Sequence, residues 1–72
     1  MNIQGGKQKD KILAALINQF PGSLPTIIDV SEDTFRYQLE KNGNYSYFLV
    51  NYSIDPSDNL KVDWKSAEPF ML

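Results

Sequence analysis

The stretch that decides the fold is TFRYQLEKNGNYSYFLVNYSI, residues 34–54. At its centre, Asn42-Gly43 favours a type I′ turn, because both central residues of that turn need a positive φ that Asn and Gly adopt at little cost. On either side of the turn, apolar and polar side chains alternate with the period of two that is typical of a half-buried strand. The pattern therefore predicts a β-hairpin.

Two positions of the loop are compatible with this hairpin. A loop of Asn42-Gly43 pairs Phe35 with Val50, whereas a loop of Gly43-Asn44 pairs Phe35 with Tyr52. Because the two registers differ by two residues, both place the same side chains on the same face. The predicted inward side chains are Phe35, Tyr37, Leu39, Phe48, Val50, Tyr52 and Ile54. The predicted outward side chains of the second strand include Tyr45, Tyr47 and Leu49.

One helix is predicted before the hairpin, over Lys7–Phe20. Its apolar residues recur with a period near 3.6 and form a single stripe. Pro21-Gly22 ends the helix, since proline cannot continue it and glycine permits the chain to reverse. We expect the stripe to pack on the inward face of the hairpin. The stripe consists of Ile12, Leu13, Leu16, Ile17 and Phe20.

A strand is also predicted between the helix and the hairpin, over Thr26–Ser31. A tight turn at Glu32-Asp33 sets Asp29 opposite Arg36, and opposite charges across two strands stabilise a register. Glu-Asp is poor type I′ chemistry, so whether this segment pairs as a fourth strand is left open. In this register the inward pairs are Val30 with Phe35 and Ile28 with Tyr37.

The last predicted strand is Leu60–Lys65, which follows a turn that begins at Asp55-Pro56. Its apolar residues alternate with charged ones, so that one face is again apolar. Pairing Ile54 with Leu60 places the apolar residues of both strands on one face. The other pairs of this register are Tyr52 with Val62 and Val50 with Trp64.

Together these patterns predict an α+β fold of two layers, with one N-terminal helix packed on an antiparallel β-meander of three to four strands. We expect residues 1–6 to be disordered, residues 7–66 to form a single domain, and residues 67–72 to form an apolar tail. The tail is expected to fold back over the sheet or the helix; the alternative is a docking element for a partner. Over Lys11–Trp64, the order of helix, Phe-Pro-Gly break and meander resembles the layout of small one-helix domains such as the PepSY-like group, without a diagnostic motif of that group.

Composition narrows the classes of function. The 72 residues include no cysteine and no histidine, which excludes a disulfide, a thiolate metal site and an imidazole base. The net charge of −2 provides no general attraction to nucleic acid. No apolar run approaches the roughly 18 residues of a membrane span, and residues 1–10 lack the apolar core of a signal peptide. We therefore expect a cytoplasmic, non-enzymatic protein with no cofactor, metal or membrane partner.

The outer face of the predicted sheet is the feature that hints at function. A single helix covers one face only, while tyrosines beside basic residues point to the other, and exposed apolar patches mark interaction surfaces. The predicted function is a small protein-interaction module that binds another protein or a second copy of itself through this face or an edge strand. Alternatives are a nucleic-acid-associated accessory protein, which the acidic balance disfavours, and a plain solvated face. The candidate surface consists of Arg36, Gln38, Tyr45, Tyr47, Leu49, Lys61, Lys65, Phe70 and Met71.

Overall fold

A computed structural model describes residues 3–71, with side chains from residue 8 onward, as one helix followed by four strands. The four strands form one antiparallel sheet in the order β1-β2-β3-β4, so the predicted α+β meander is confirmed, with four strands rather than three. The elements are α1 (Ile3–Gln19), β1 (Leu24–Val30), β2 (Thr34–Lys41), β3 (Asn44–Ile54) and β4 (Leu60–Pro69).

The helix begins at Ile3, so the predicted start at Lys7 is too late. Met1 and Asn2, part of the segment predicted to be disordered, lie outside the described residues, as does Leu72 of the predicted tail. After the helix, Gly22 has a φ of +88°, a left-handed conformation that glycine adopts without a steric penalty. This conformation reverses the chain into β1, as the Pro-Gly sequence predicts.

The central hairpin has the first of the two predicted registers. Asn42 and Gly43 have φ values of +54° and +80°, as a type I′ turn requires. Phe35 pairs with Val50, and the alternation on either side of the turn continues without interruption along β2 and β3. The predicted turn therefore fixes both the register and the face of each side chain.

A bulge in β1 alters the predicted pairing with β2. Asp29 pairs with Arg36, as predicted, but Tyr37 pairs with Ile27 instead of Ile28. Ile28 is an extra residue on the β1 side, and Ile27 packs against the core. The predicted pair of Ile28 with Tyr37 is thus wrong, because the alternation in a short apolar strand contains no signal for an inserted residue.

A larger irregularity lies in β4. Asn51 pairs with Asp63, but Leu49, two residues earlier in β3, pairs with Glu68, five residues later in β4. Between these two pairs, β4 therefore contains three more residues than β3 does. The predicted pair of Val50 with Trp64 is wrong for this reason, whereas the two predicted pairs nearer the turn are confirmed, namely Ile54 with Leu60 and Tyr52 with Val62.

Ser66 fills the gap that the extra residues of β4 create. Its Oγ accepts a hydrogen bond from the Asn51 N–H at 2.9 Å and donates one to the Asp63 carbonyl at 2.8 Å. Because three is an odd number, the insertion reverses the alternation of faces along β4. Before the insertion the even-numbered residues of β4 face the core, and after it the odd-numbered residues do, so that Ala67 packs against the core. β4 continues to Pro69, four residues past the predicted end at Lys65.

The core lies between α1 and the inner face of the sheet. Tyr37 is at its centre, with four aromatic rings whose centroids lie 5.5 to 6.2 Å from its own. Leu13 and Ile17 are exposed, so the helix contacts the core through a narrower stripe than predicted, one residue per turn. The buried side chains of the core are Ile12, Leu16, Phe35, Tyr37, Val50 and Tyr52.

Candidate functional site

The outer face of the sheet is formed by the residues that alternate with the core residues. On β3 these include Tyr45, Tyr47 and Leu49, because Phe48 and Val50, which alternate with them, pack inward. Each of these three residues has an outward partner on β2 with a polar or charged side chain. These partners are Glu40 for Tyr45, Gln38 for Tyr47 and Arg36 for Leu49.

Phe70 lies on the outer face because the insertion in β4 reverses the faces of the residues that follow it. Its N–H donates a hydrogen bond to the Tyr47 carbonyl at 3.0 Å, and the two ring centroids are 6.1 Å apart. The Arg36 guanidinium lies 5.4 Å from the centroid of the Phe70 ring. Since Arg36 is on β2 and Phe70 follows β4, their side chains meet above β3. Residues 67–69 of the predicted tail belong to β4, and Phe70 continues along β3 beyond them, whereas Met71 is 93% exposed.

Asp29 holds the guanidinium of Arg36 in place. Arg36 Nε donates to Asp29 Oδ1 at 3.0 Å, and Nη2 donates to Oδ2. This bidentate hydrogen bond and the positive charge keep the pKa of Asp29 below its ordinary value, and the same contact raises the pKa of Arg36. The predicted cross-strand pair is therefore confirmed, and the charge of Arg36 is directed to Asp29.

The two lysines of the predicted surface are not part of this cluster. Lys61 pairs with Ser53, which is four residues along β3 from Leu49, or about 13 Å at the rise of a strand. Lys65 lies inside the irregular part of β4, outside the paired rows. The structure thus brings together seven of the nine predicted residues and separates two. The seven are Arg36, Gln38, Tyr45, Tyr47, Leu49, Phe70 and Met71.

Leu24 belongs to the same surface but was not predicted. It pairs with Glu40, which in turn pairs with Tyr45, so the three residues form one row across the outer face. Leu24 is 65% exposed. The sequence pattern places Leu24 in the connector that precedes the predicted strand. The side chain of Leu24 faces outward because the extra residue at Ile28 shifts the pairing of the preceding residues by one.

A shallow depression of about 500 Å³ lies where the paired ends of β3 and β4 meet. None of its lining residues has a carboxylate or an amine in its side chain. Its aromatic and apolar walls can receive an apolar side chain. The lining residues are Tyr45, Ser46, Tyr47, Phe48, Pro69, Phe70 and Met71.

The turn between β3 and β4 contains the acidic residues that most resemble a metal-binding loop. The Asp55 carboxylate accepts hydrogen bonds from the N–H groups of Ser57 and Asn59, both at 2.9 Å. The bond from Asn59 makes the largest contribution to lowering the pKa of Asp55. Asp55 therefore stabilises the turn. Within residues 3–71, no three acidic side chains are grouped so that they could hold a metal ion.

Comparison with protein families, with curated proteins and with solved structures finds no match. The resemblance to small one-helix domains is thus limited to the layout of the elements. In the described part of the chain, no helix is long and apolar enough to cross a membrane. The geometry of the outer face is accordingly the basis for any assignment of function.

Proposed function

We propose that this protein is a small, non-enzymatic interaction module that binds another protein through the outer face of its sheet. The observation that supports this proposal most is the unequal coverage of the two faces. The helix covers the inner face, whereas on the outer face Phe70 is the one described residue whose side chain lies over the tyrosines, and Tyr45 remains 55% exposed. The absence of cysteine fits a reducing cytoplasm as its setting.

The chemistry of the outer face suits a protein partner. Tyrosine, phenylalanine, methionine and arginine are enriched at the centres of protein interfaces. Here Tyr45, Tyr47, Phe70 and Met71 surround one apolar depression, and Arg36 is oriented by its contacts. Polar side chains of β2 and β4 border these residues, as in an interface with an apolar centre and a polar rim.

The same contacts disfavour the alternative of a nucleic-acid partner. Arg36 is bound to Asp29, and Lys61 is distant from the tyrosines, so neither of these two cations is placed to contact a phosphate beside the aromatic rings. The Phe70 ring is inclined at 52° to the Tyr47 ring and has Arg36 near it, so these two rings do not form a flat platform for stacked bases. We expect tyrosine and tryptophan fluorescence to stay unchanged when single-stranded oligonucleotide is added at low salt; a saturable change would favour nucleic-acid binding.

Site-specific photo-crosslinking in cells that express the protein tests the proposal. A photoreactive amino acid at position 45 is expected to give a discrete crosslinked protein, and the same amino acid at exposed Ser57 in the β3–β4 turn is not. The crosslink should disappear with Leu49→Glu on the outer face. It should persist with Ile17→Glu, because Ile17 is comparably exposed but lies on the helix.

Two results would contradict a binding site on the outer face. One is a crosslink of equal yield from position 57, which would indicate unselective contact. The other is a crosslink from position 45 that survives Leu49→Glu and is lost with Ile17→Glu, since the helix surface would then carry the contact.

A further inference from the structure

The sheet has two edges, and they differ in how well they resist pairing with another strand. In the β1 edge, Pro25 has no N–H to donate and Ile28 forms a bulge, and both features oppose the addition of a strand. The β4 edge has neither feature over residues 60–63, where it pairs regularly with β3. This part of β4 is therefore open to a further strand.

The direction of the backbone groups follows from two hydrogen bonds of β3 and its turn. The N–H of Asp55 donates to the Asn59 carbonyl at 3.0 Å, and the N–H of Asn51 donates to Ser66 Oγ on β4 at 2.9 Å. Both donors have odd residue numbers, and the direction of backbone groups alternates along a strand. The odd-numbered residues of β3 thus direct their N–H and C=O groups towards β4.

Val62 is the central one of the β4 residues whose backbone groups face the open edge. Lys61 and Asp63 pair with odd-numbered residues of β3, so they direct their N–H and C=O groups towards β3. Val62, between them, directs its own groups the other way. A second strand aligned with Val62 would satisfy them.

The charged side chains select one register for such a strand if it comes from a second copy. An antiparallel pair centred on Val62 places Lys61 opposite Asp63 of the second copy, and Asp63 opposite Lys61 of the second copy. A pair centred on Lys61 instead places Lys61 opposite Lys61 of the second copy, and a pair centred on Asp63 places Asp63 opposite Asp63. In both cases like charges face each other. Opposite charges across a strand pair stabilise it and like charges destabilise it.

These two side chains have charges that nothing else in the described chain pairs. Both are exposed, and their partners on β3 are uncharged Ser53 and Asn51. Within residues 8–71, neither Lys61 nor Asp63 takes part in an ion pair. In the antiparallel pair they occupy the position without backbone hydrogen bonds, where opposing side chains are closest.

The apolar side chains of β4 agree with the same register. Leu60, Val62 and Trp64 are half-buried and face inward with the core. Centring on Val62 places it beside Val62 of the second copy, and places Leu60 beside Trp64 of the second copy. The apolar row of the inner face then continues across the junction.

We propose that two copies of this chain associate through β4, antiparallel and centred on Val62, to form one sheet of eight strands, four from each copy. The occupant of the β4 edge is thus a second copy of the same strand. This edge is separate from the cluster of the outer face around Tyr45, Tyr47 and Phe70, so the homodimer and the proposed binding of another protein can be disproved independently.

Charge reversal tests this register by sedimentation equilibrium from micromolar to millimolar concentration. We expect the wild type to dimerise, and Lys61→Asp or Asp63→Lys to raise the Kd at least about tenfold, because each creates two facing pairs of like charge. An equimolar mixture of the two variants should form a 1:1 heterodimer with nearly wild-type affinity, because every Asp then faces a Lys. Circular dichroism should show both variants folded, since both side chains are exposed.

Lys65→Asp provides the matched control, because it makes the same change of charge on β4 but lies in the irregular part of the strand, beyond the regularly paired residues that set this register. We expect it to change the Kd by less than about twofold, as surface substitutions away from specific contacts do. A wild type that stays monomeric to millimolar concentration would overturn the proposal. So would a dimer that the two charge reversals leave intact, or one that Leu49→Glu or Lys65→Asp weakens as strongly.

Discussion

Aromatic side chains lie on both faces of the sheet, but their surroundings differ. On the inner face, Tyr37 is 1% exposed and has four aromatic rings around it. On the outer face, Tyr47 contacts the single ring of Phe70, and Tyr45 is exposed. The helix accounts for this difference, since one helix can cover only one face. Coverage rather than aromatic content therefore distinguishes the part of the molecule that holds the fold from the part available to a partner.

The largest effect should come from the helix residue that covers the inner face. Leu16 is fully buried, and Leu16→Ala is expected to lower the free energy of unfolding by about 2–5 kcal/mol through lost burial and a cavity. Its neighbour Ile17 is exposed, so Ile17→Ala should lower it by less than about 1 kcal/mol. Urea unfolding followed by circular dichroism measures both. Comparable losses would show that the helix packs on the sheet differently.

A smaller effect is expected on the outer face, from Phe70. Phe70→Ala removes the ring contact with Tyr47 and should lower the free energy of unfolding by about 1 kcal/mol. Met71→Ala is the matched control, because Met71 makes no comparable contact and should change stability by less than about 0.5 kcal/mol. If Phe70→Ala destabilises the protein as much as Leu16→Ala, the outer face is a second core and the contrast between the faces fails.

The smallest effect concerns how the contact between Asp29 and Arg36 on the outer face makes the stability of the protein depend on pH. The hydrogen bonds from Arg36 hold the pKa of Asp29 below its ordinary value of about 3.9. A carboxyl whose pKa is lowered by folding stabilises the protein above its unfolded pKa, and this contribution is lost as the pH falls through the folded pKa. We therefore expect stability to decline below about pH 4. Thermal unfolding as a function of pH measures this decline.

Asp29→Asn should reduce the decline at acid pH without removing it. The remaining part is expected from Asp55, whose pKa is lowered chiefly by the N–H of Asn59. Asp55→Asn should therefore reduce the decline as well. An acid profile of Asp29→Asn that matches the wild type would show that the contact with Arg36 contributes nothing to folding.

The sequence was sufficient to predict the elements that depend on local chemistry. Asn42-Gly43 indicated the turn, and the alternation around it identified the faces of Phe35 and Tyr37. The extra residues at Ile28 and around Ser66 could not be predicted, because they leave the alternation of the neighbouring residues plausible in either register. The irregularity in β4 includes hydrogen bonds of Ser66 with Asn51 and Asp63, and a local pattern of apolar and polar residues contains no sign of them.

The same insertion explains how far the candidate site could be predicted. The outward positions of Tyr45 and Tyr47 followed from the hairpin. The arrival of Phe70 beside Arg36 did not, because it depends on the reversed parity after Ser66. The separation of Lys61 from the cluster was in principle available, since the predicted pair of Ile54 with Leu60 already places Lys61 opposite Ser53, far from the tyrosines.

The most direct test of the contrast between the faces compares one residue type on each of them. Tyr37→Ala and Tyr47→Ala delete the same side chain, from the inner and the outer face respectively. We expect Tyr37→Ala to lower the free energy of unfolding by about 3–5 kcal/mol and Tyr47→Ala by about 1 kcal/mol or less. Losses of equal size would contradict the claim that the inner face holds the fold while the outer face remains available to a partner.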